Sequence, residues 1–378
     1  MQLKNILKFL LPKNLTLNCI PGGLEITVGG AIANNVHGKD CWKNGYFEKN
    51  VKSIKILDSE GNFKKLSKNQ NKEHFEMMFS SLGLLGIIVE VELFVKKIPS
   101  PLLEINTHKV KNLNEMQKLF ENLSDDNDYA VAWLDCFAKN ENSLRGIFQT
   151  AKFTEFNKNL NLKKKDFFQN PDQIKIFGFI PVKFIWKIVK IFFNTKIFKI
   201  LNPIAFHFSS FIKKKKVIPY EEFMMLETKY LPSYKSWFEP DGFLCIQPFF
   251  SSENAFEKIK QVVELCQKFG VIPFWCPIKK YKKENVNPLD FNKNQNGYSI
   301  VIDFFPKEYK EDLIKLFIQE LEELILQQNG KFYLSKDQIM SKEFFKKTYP
   351  EFKKFIEIKN KFDSNEFFLS EQYKRLFK

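Results

Sequence analysis

The chain has 378 residues, of which 44% are hydrophobic and 27% charged. This composition is typical of a folded globular protein and excludes a disordered or fibrous one, and the length predicts two domains. The formal net charge is +15, but the 59 basic residues include only two arginines, Arg145 and Arg375. Because proteins that read nucleic acids depend on arginine, this balance argues against a nucleic-acid partner.

The cysteines and the N-terminus bear on metal binding and localisation. None of the six cysteines forms a C-x-x-C pair, and the four histidines are scattered. We therefore expect neither a metal site nor a disulfide framework. Residues 1–22 hold an apolar run too short and too interrupted for a membrane span, without a small-residue cleavage site. These features predict a cytoplasmic protein without a signal peptide.

The first 98 residues combine helical and strand patterns and predict one α+β unit. The predicted elements are a helix over 3–11 ended by Pro12, a strand and turn over 15–23, a glycine turn at 29–30, a hairpin over 50–67, and a helix, a Gly-x-x-Gly turn and a long strand over 72–100.

Residues 99–330 also combine helical and strand patterns, and they contain enough strands for a sheet of their own. Strands are predicted near 129–137, 243–250, 272–276 and 298–305, and helices over 253–269 and 307–328. A third segment, 331–378, reads as the short strand "KFYLSKD" followed by a polar helical tail. The fold class is therefore α+β.

The stretch "TVGGAIANNVHGKD", residues 27–40, joins two adjacent glycines to a run of small residues. Without side chains in the way, main-chain N–H groups at such a position can contact a bulky ligand. A tight turn beneath a sheet explains the glycines equally well, so the motif alone leaves both interpretations open.

Together with "GYFEKNVKSIKIL" (45–57) and "SLGLLGIIVEVEL" (81–93), this stretch resembles the second FAD subdomain of the vanillyl-alcohol-oxidase-type flavoproteins, which have a PCMH-type FAD-binding domain. The resemblance implies non-covalent FAD, with the first segment against the flavin and pyrophosphate and the Gly-x-x-Gly-Ile segment along the adenosine. The cofactor-binding residues that it implies are Thr27, Val28, Gly29, Gly30, Ala31, Asn34, His37, Gly38, Gly86, Ile87, Ile88, Tyr333 and Lys336.

The C-terminal half narrows the resemblance. Four segments, "DGFLCIQPFF", "YSIVIDFF", "NGKFYLSKD" and "KFDSNEFFLSE", are similar to those of the decaprenylphosphoryl-β-D-ribose oxidases. These flavoenzymes oxidise the 2-hydroxyl of a polyprenyl-phosphate-linked ribose. The likeness implies a FAD-dependent oxidoreductase acting on CH–OH groups of a glycolipid or sugar, and a reductase partner that completes an epimerisation.

The same resemblance implies a division into domains, and it also shows where this sequence differs from the family. Residues 1–98 correspond to part of the FAD-binding domain, 99–330 to a substrate (cap) domain on an antiparallel sheet, and 331–378 to a segment that returns to the FAD-binding domain. Family members also carry a preceding subdomain with a Gly/Arg/Ser-rich loop around the pyrophosphate, which nothing here matches. We therefore expect weak, substoichiometric FAD binding by this chain alone.

The matched motifs supply candidate catalytic residues. Lys336 in "YLSKD" corresponds to a family lysine that contacts flavin and substrate, and Tyr333 lies three residues before it. His37 corresponds to a polar group beside the flavin. Each has a simpler explanation, since a lysine is usually a solvated charge and a lone histidine a structural hydrogen-bonding group.

The resemblance also implies substrate-binding residues. They are Lys39, Trp133, Gln247, Lys279 and Tyr281, although buried aromatic residues are more often plain core. Cys245 stands where the family more often has glutamine.

Residues 180–200 combine Lys183, Lys187 and Lys190 at helical spacing with surrounding Phe, Ile, Trp and Val. A basic amphipathic helix of this kind suits the surface of a membrane and predicts peripheral attachment at its inner face. A core helix with its lysines in water explains the pattern almost as well.

Two other functions remain open at this point. An aldonolactone or alditol oxidase is a second enzyme class, but its His-Trp-Gly-Lys type signature is not found here. A truncated, non-catalytic subunit that needs a separate FAD-binding partner is the alternative outside enzymes.

Overall fold

The computed structural model describes residues 1–139, 143–155, 175–176, 180–181, 190, 193–209, 215–224, 238–283, 287–292 and 295–378. Its helices are α1 Leu3–Leu10, α2 Val28–Ala33, α3 Cys41–Asn44, α4 Lys72–Met77, α5 Leu113–Leu123, α6 Thr195–Phe208, α7 Tyr220–Met224, α8 Ala255–Phe269, α9 Glu311–Gln327, α10 Lys342–Thr348, α11 Phe352–Phe362 and α12 Glu371–Phe377.

The strands are β1 Leu15–Thr16, β2 Val51–Leu57, β3 Phe63–Ser67, β4 Ile87–Leu93, β5 Lys96–Lys97, β6 Leu102–Val110, β7 Tyr129–Leu134, β8 Gly146–Thr154, β9 Lys175–Ile176, β10 Ile180–Pro181, β11 Lys215–Pro219, β12 Leu244–Ile246, β13 Pro248–Ser251, β14 Pro277–Tyr281, β15 Gly297–Ile300, β16 Ile302–Phe304 and β17 Lys331–Phe332. They confirm an α+β fold.

The N-terminal elements follow the sequence closely. Helix α1 buries Leu3, Leu7 and Leu10 and ends just before Pro12. The predicted hairpin is β2–β3, and β4 pairs with the other edge of β2, so the antiparallel order is β3-β2-β4. The hairpin turn is closed by Asp58, whose Oδ1 accepts from the amides of Glu60 and Asn62.

The predicted glycine turn at 29–30 is wrong, because both glycines lie inside helix α2. Thr27 caps this helix, and its hydroxyl accepts a hydrogen bond from the Gly30 amide at 3.1 Å. The cap satisfies one of the amides that a helix N-terminus leaves unpaired. Ala31 and Ile32 are buried beneath it, and this packing offsets the weak helix propensity of the glycines.

The largest sheet has eight strands in the order β11-β6-β8-β7-β14-β15-β13-β17, with every neighbouring pair antiparallel. Its strands all come from the part of the chain between Leu102 and Phe332. Helices α5 and α8 cover one face, where the rings of Phe120 and Phe256 lie 5.5 and 4.8 Å from that of Tyr298. The opposite face is left to contact the N-terminal segment.

Three predicted strands differ from the structure. Residues 243–250 and 298–305 each divide in two, because the chain leaves the large sheet to form the separate β12–β16 pair. The strand predicted at 272–276 is wrong: the ladder begins at Pro277, and Trp275 makes only an isolated bridge to Asp303. Pro273 has no N–H to donate, whereas Pro277 occupies a strand's first position, where proline is tolerated.

The C-terminal segment begins with a short strand and continues as helices, as predicted, but the strand is shorter than "KFYLSKD" and the helices are not polar throughout. Only Lys331 and Phe332 pair with β13, and a 3₁₀ turn over Leu334–Lys336 follows. Helices α10, α11 and α12 bury an aromatic row that includes Phe345, Phe355 and Phe377. The lysine-rich sequence forms amphipathic helices whose charged faces point to solvent.

Within the segment 180–200, residues 182–189, 191 and 192 lie outside the described residues, and Lys183 and Lys187 are among them. The prediction of a membrane-surface helix there therefore stays a prediction. In the part of the chain that the structure describes, no helix is long and apolar enough to cross a bilayer.

Candidate active site

The candidate active site lies on the face of the large sheet that α5 and α8 leave open. Ser299 is paired across the ladder with Phe249 on one side and Lys279 on the other, so these side chains share a face. Tyr281 lies on the same face, two residues beyond Lys279. His37, from the loop after α2, packs against this group. The sequence motif and the sheet thus meet at one place.

A hydrogen-bonded network joins Gln247, the residue just before β13, to three of these side chains, Tyr281, Ser299 and His37. The Gln247 amide nitrogen donates to the Tyr281 hydroxyl and to the Ser299 hydroxyl, both at 2.8 Å. The Tyr281 oxygen also lies 2.9 Å from Nε2 of His37 and 2.9 Å from Ser299 Oγ. With both amide hydrogens of Gln247 engaged, the Tyr281 hydroxyl satisfies the network by donating to His37 Nε2.

This arrangement determines the state of His37. Burial, together with the positive charges of Lys279 and Lys336, holds its pKa well below the ordinary value. The ring is therefore neutral, and since Nε2 accepts, its proton resides on Nδ1. His37 can act as a hydrogen-bond donor through Nδ1 without carrying charge.

Two buried atoms of the network have no hydrogen-bond partner among the described residues: Nδ1 of His37 and Oε1 of Gln247. Buried polar atoms are normally paired, so an unpaired donor and an unpaired acceptor in the same network indicate a polar ligand. A flavin ring edge, which alternates acceptors and donors, and a sugar hydroxyl both have this chemistry. The residues present therefore fit a bound flavin.

Lys279 and Lys336 bring positive charge to the same site. Both are half-buried, and neither forms a salt bridge with any residue that the structure describes. Burial and the neighbouring Lys336 ammonium lower the pKa of Lys279 to about 8. Two cations held near each other without a salt bridge to a described carboxylate form a site for a negatively charged group.

Asp303 is the acidic residue that faces these lysines. Burial raises its pKa, and Lys336, Cys245 and Lys279 act in the opposite direction. Its Oδ1 is buried and has no partner among the described groups, and Cys245 lies directly across the β12–β16 pair. Asp303 therefore lies close enough to Lys279 and Lys336 for their positive charges to act on its carboxyl group.

Aromatic side chains enclose the network. The rings of Phe291 and Tyr333 lie 5.9 and 4.8 Å from that of His37, and the Tyr46 ring meets it edge-on at 6.0 Å. Tyr333 donates through its hydroxyl to the Asn34 carbonyl at 3.0 Å. Burial raises the pKa of Tyr333, so its hydroxyl stays protonated and can donate this bond. The bond attaches the C-terminal segment directly to the end of helix α2.

The FAD-like segments lie next to one another. A Cβ added at Gly29 would lie 3.7 Å from Cβ of Ile88, so α2 packs on β4 with little room between them. Thr27, Gly30 and Asn34 form the open face of α2, while Val28 and Ala31 point inward. Ile87 is 50% exposed. Thr27 and Ile87 are therefore exposed beside the contact between α2 and β4.

Two of the implied cofactor-binding glycines have packing reasons of their own. A Cβ at Gly38 would lie 2.2 Å from the Ile20 carbonyl oxygen, which no side chain tolerates. Gly86 has a φ of +136° and lies against Ile56. Both positions require glycine whatever they bind.

Lys39 and Trp133 lie at the edges of the site. The Lys39 ammonium donates to the carbonyl of Phe223 and lies 4.3 Å from the centre of that ring. The Trp133 ring is 6.3 Å from that of Trp275, and Trp133 is paired with Pro277 at the start of β14. Neither side chain takes part in the His37 network.

Sequence reasoning missed Ser299, Asp303, Tyr46 and Phe291. Ser299 and Asp303 could have been predicted from the sequence, because they are the polar residues within the apolar run "YSIVIDFF". Tyr46 and Phe291 could not, since only the fold shows that their rings contact His37. In the described part of the chain no cluster of His, Cys, Asp and Glu is arranged to hold a metal ion, and the cysteines are free.

Asp40, the buried last residue of the motif 27–40, gives a prediction about stability. Burial raises its pKa from 3.8 to about 7, partly offset by the hydrogen bond from Asn44. The folded protein then holds a proton that the unfolded chain has lost, so the free energy of unfolding falls as pH rises from about 4 to 7. Asp40→Asn is expected to remove this fall and to stabilise the protein above pH 7 by up to about 4 kcal/mol.

Urea unfolding across this pH range measures the effect. Asp125→Asn is the control, because its carboxylate is exposed. An unchanged pH dependence in Asp40→Asn would contradict the assignment.

Comparison with known proteins finds two matching family models and several similar relatives. A model of a FAD binding domain matches residues 1–67, and one of D-arabinono-1,4-lactone oxidase matches residues 247–376. Decaprenylphosphoryl-β-D-ribose oxidase of Mycolicibacterium smegmatis is 24% identical over 99% of this chain and 78% of the relative. Cytokinin dehydrogenase 1 of Arabidopsis thaliana is 27% identical over 34% of this chain and 21% of its own length.

The matched regions coincide with the two parts of the site. The first contains α2 and the loop 34–40, and the second, residues 247–376, contains both Gln247 and Lys336. The cofactor is FAD. These matches support a FAD-linked oxidase with a PCMH-type FAD-binding domain that is similar to decaprenylphosphoryl-β-D-ribose oxidase.

Proposed function

We propose that the protein oxidises a hydroxyl group of a pentose, or a similar sugar, carried on a polyprenyl phosphate. The single observation that carries the proposal is the cluster of Lys279, Lys336 and neutral His37 beside unpaired buried polar atoms. The likeness to decaprenylphosphoryl-β-D-ribose oxidase over nearly the whole chain supports the substrate class.

The proposal assigns a division of labour along the chain. Residues 1–98 form the second subdomain of the FAD-binding domain, 99–330 the substrate domain, and 331–378 return to the FAD side. Two contacts support the return: Tyr333 bonds to Asn34, and Lys359 donates to the Leu84 carbonyl at 3.3 Å.

Oxidation of a secondary alcohol to a ketone removes a carbon-bound hydrogen as hydride and the hydroxyl hydrogen as a proton. A bound flavin supplies the hydride acceptor. Lys336 places a positive charge where negative charge develops during the transfer. Its position in a 3₁₀ turn anchored by Tyr333 keeps the ammonium at the site without a competing carboxylate bond.

His37 and Gln247 orient the reacting groups. The neutral imidazole donates from Nδ1, and Gln247 Oε1 accepts from a sugar hydroxyl. Tyr281 and Ser299 hold both side chains in place by the bonds described above. Lys279 and Trp133 line the substrate side, where the lysine faces the anionic part of the substrate and the indole forms an apolar wall.

Lys279 gives a prediction about pH. Because its pKa is about 8, its charge is lost as pH rises through that value, and substrate KM is expected to increase about tenfold per pH unit above it. Lys279→Arg, which keeps its charge, should abolish the increase. Lys280→Arg is the control, since the Lys280 ammonium donates to the Phe120 carbonyl instead.

Steady-state kinetics from below to above this pH provide the measurement. If KM stays constant and kcat rises through the same range, Lys279 acts as the proton acceptor and the charge assignment is wrong.

The partners follow from this substrate. They are the glycolipid itself, a reductase that completes an epimerisation, and the inner face of the cell membrane, contacted through 180–200. A cytoplasmic, peripheral protein suits a substrate whose sugar is polar and whose tail is in the bilayer.

A second candidate function has its own support. The C-terminal match to D-arabinono-1,4-lactone oxidase favours a free aldonolactone or alditol as substrate. Comparing kcat/KM for a short-chain polyprenylphosphoryl ribose with that for D-arabinono-1,4-lactone separates the two. We expect the phosphorylated substrate to be preferred by about 100-fold or more, because only it engages the lysines. Equal or reversed preference would favour the lactone.

A further inference from the structure

We propose that helix α6, Thr195–Phe208, is a docking surface for an anionic lipid bilayer. The inference rests on the orientation of this helix and on its charges, and it deepens the proposed function by naming the surface that brings the enzyme to a lipid-linked substrate.

The helix turns its apolar face towards solvent. Ile200, Ile204 and Phe208 recur at every fourth residue and are therefore stacked on one side, where they are 58%, 45% and 62% exposed. Leu201 adds a further side chain, 46% exposed, at the edge of this row. A helix of a globular protein normally buries such a face. Exposed apolar surface of this kind indicates an interaction site.

The other side of the helix is fixed to the protein. Asn202 and Phe206 are buried, and the Arg145 guanidinium lies 4.5 Å from the centre of the Phe206 ring. At the first turn, Asn194 caps the helix and the Thr195 amide donates to Glu308 at 2.9 Å. The apolar row is therefore presented outward by a helix whose inner side is held.

The charges select an anionic lipid surface as the occupant. The helix has no Asp or Glu, and its exposed Lys196 and Lys199 form no salt bridge with any residue in the described ranges. Lysine ammoniums can reach lipid headgroups while their stems lie along the apolar row. An apolar row flanked by unpaired cations matches the chemistry of an anionic bilayer interface.

The helix is also close to the candidate active site. The ring of Phe198 lies 5.0 Å from that of Phe274, and the Phe274 amide donates to the carbonyl of Asp303 at 2.9 Å. The next residue, Trp275, is 44% exposed and lies beside Trp133. A bilayer bound to α6 would therefore meet the edge of the site where the lipid tail of the substrate must leave.

Vesicle flotation of the full chain tests the inference without FAD turnover or sugar, so its failure is separate from failure of the proposed function. The probes are phosphatidylcholine vesicles with and without phosphatidylglycerol. We expect binding to the anionic vesicles, a loss of roughly tenfold or more in Ile200→Ser/Ile204→Ser/Phe208→Ser, and a loss of about fivefold for each of Lys196→Gln and Lys199→Gln.

The matched control is Phe9→Ser/Phe63→Ser, which removes two rings that are each 64% exposed elsewhere on the surface. Its binding should equal that of the wild type. Absence of wild-type binding to anionic vesicles, or equal losses in the control and in the α6 variant, would overturn the proposal.

A second measurement remains informative if the triple variant fails to fold. Trp emission from Ile204→Trp should shift to the blue when anionic vesicles are added, whereas Phe63→Trp should show no shift. A shift that depends on protein concentration instead of lipid would assign the face to a second copy of the chain. Emission that is already blue without lipid would assign it to the chain's own residues, and either result rejects the bilayer.

Discussion

Replacing Lys336 with alanine is expected to lower the rate of flavin reduction by the substrate about 100-fold or more while leaving the fold intact. Lys336 forms no salt bridge with any described residue, so its removal breaks no ion pair, and only its longer-range attraction to Asp303 is lost. What is lost is a preorganised positive charge next to the reacting groups. Anaerobic stopped-flow absorbance of the FAD-loaded protein measures the rate.

Lys331→Ala is the control for this substitution. Lys331 lies five residues earlier and its ammonium is 5.0 Å from the centre of the Tyr349 ring, so it has the same chemistry at a structural position. Equal flavin-reduction rates in the two variants would return Lys336 to the solvated lysines. Preservation of flavin binding in Lys336→Ala would place the effect in the hydride transfer.

The largest expected effect on stability belongs to Lys359. This side chain is fully buried and donates to Asp363 at 2.5 Å, to the Phe368 carbonyl at 2.9 Å and to the Leu84 carbonyl. Burial alone would raise the pKa of Asp363, but the bonds from Lys359 and from the Phe368 and Phe367 amides outweigh it and hold the pKa below its ordinary value. Asp363 is therefore a carboxylate at neutral pH.

Lys359→Ala leaves that carboxylate buried without its cation and is expected to lower the free energy of unfolding by about 3–5 kcal/mol. Lys361 lies two residues after Lys359 and forms an exposed ion pair with Glu73. Lys361→Ala should therefore lower the free energy of unfolding by only about 0–1 kcal/mol. Urea unfolding of both variants at neutral pH gives the comparison. Similar losses in the two would show that the buried pair contributes no more than a surface pair.

The buried pair also has a functional consequence. Because Lys359 bonds to the Leu84 carbonyl, it ties helix α11 to the loop that leads into Gly86 and Ile88. A weakened tie should loosen the proposed adenosine side of the FAD site. We therefore expect FAD affinity to fall in Lys359→Ala and to stay unchanged in Lys361→Ala.

Local patterns in the sequence sufficed for elements that depend on nearby residues. The alternation around Glu60 and Gly61 predicted the β2–β3 hairpin, because its register follows from the turn. They failed where distant contacts decide. Residues 298–305 read as one strand, yet the chain changes sheets at Val301, since Ser299 pairs with Lys279 whereas Asp303 pairs with Cys245.

The candidate site shows the same limit. The motifs pointed to His37, Gln247 and Tyr281, and the structure places these three in one hydrogen-bonded network. It turns Lys39 towards Phe223 instead. Neither the neutrality of His37 nor the pairing of Asp303 with Cys245 could be predicted, because both depend on which charges the fold brings close together.

The most direct test of the central claim is a single anaerobic turnover. FAD-loaded protein is mixed with a short-chain polyprenylphosphoryl ribose, and the visible flavin absorbance and the sugar product are followed together. We expect loss of the oxidised flavin spectrum with formation of one keto-sugar per flavin reduced, and a reaction about 100-fold slower or more in Lys336→Ala. An oxidised flavin that persists with this substrate but is reduced by D-arabinono-1,4-lactone would contradict the proposed substrate.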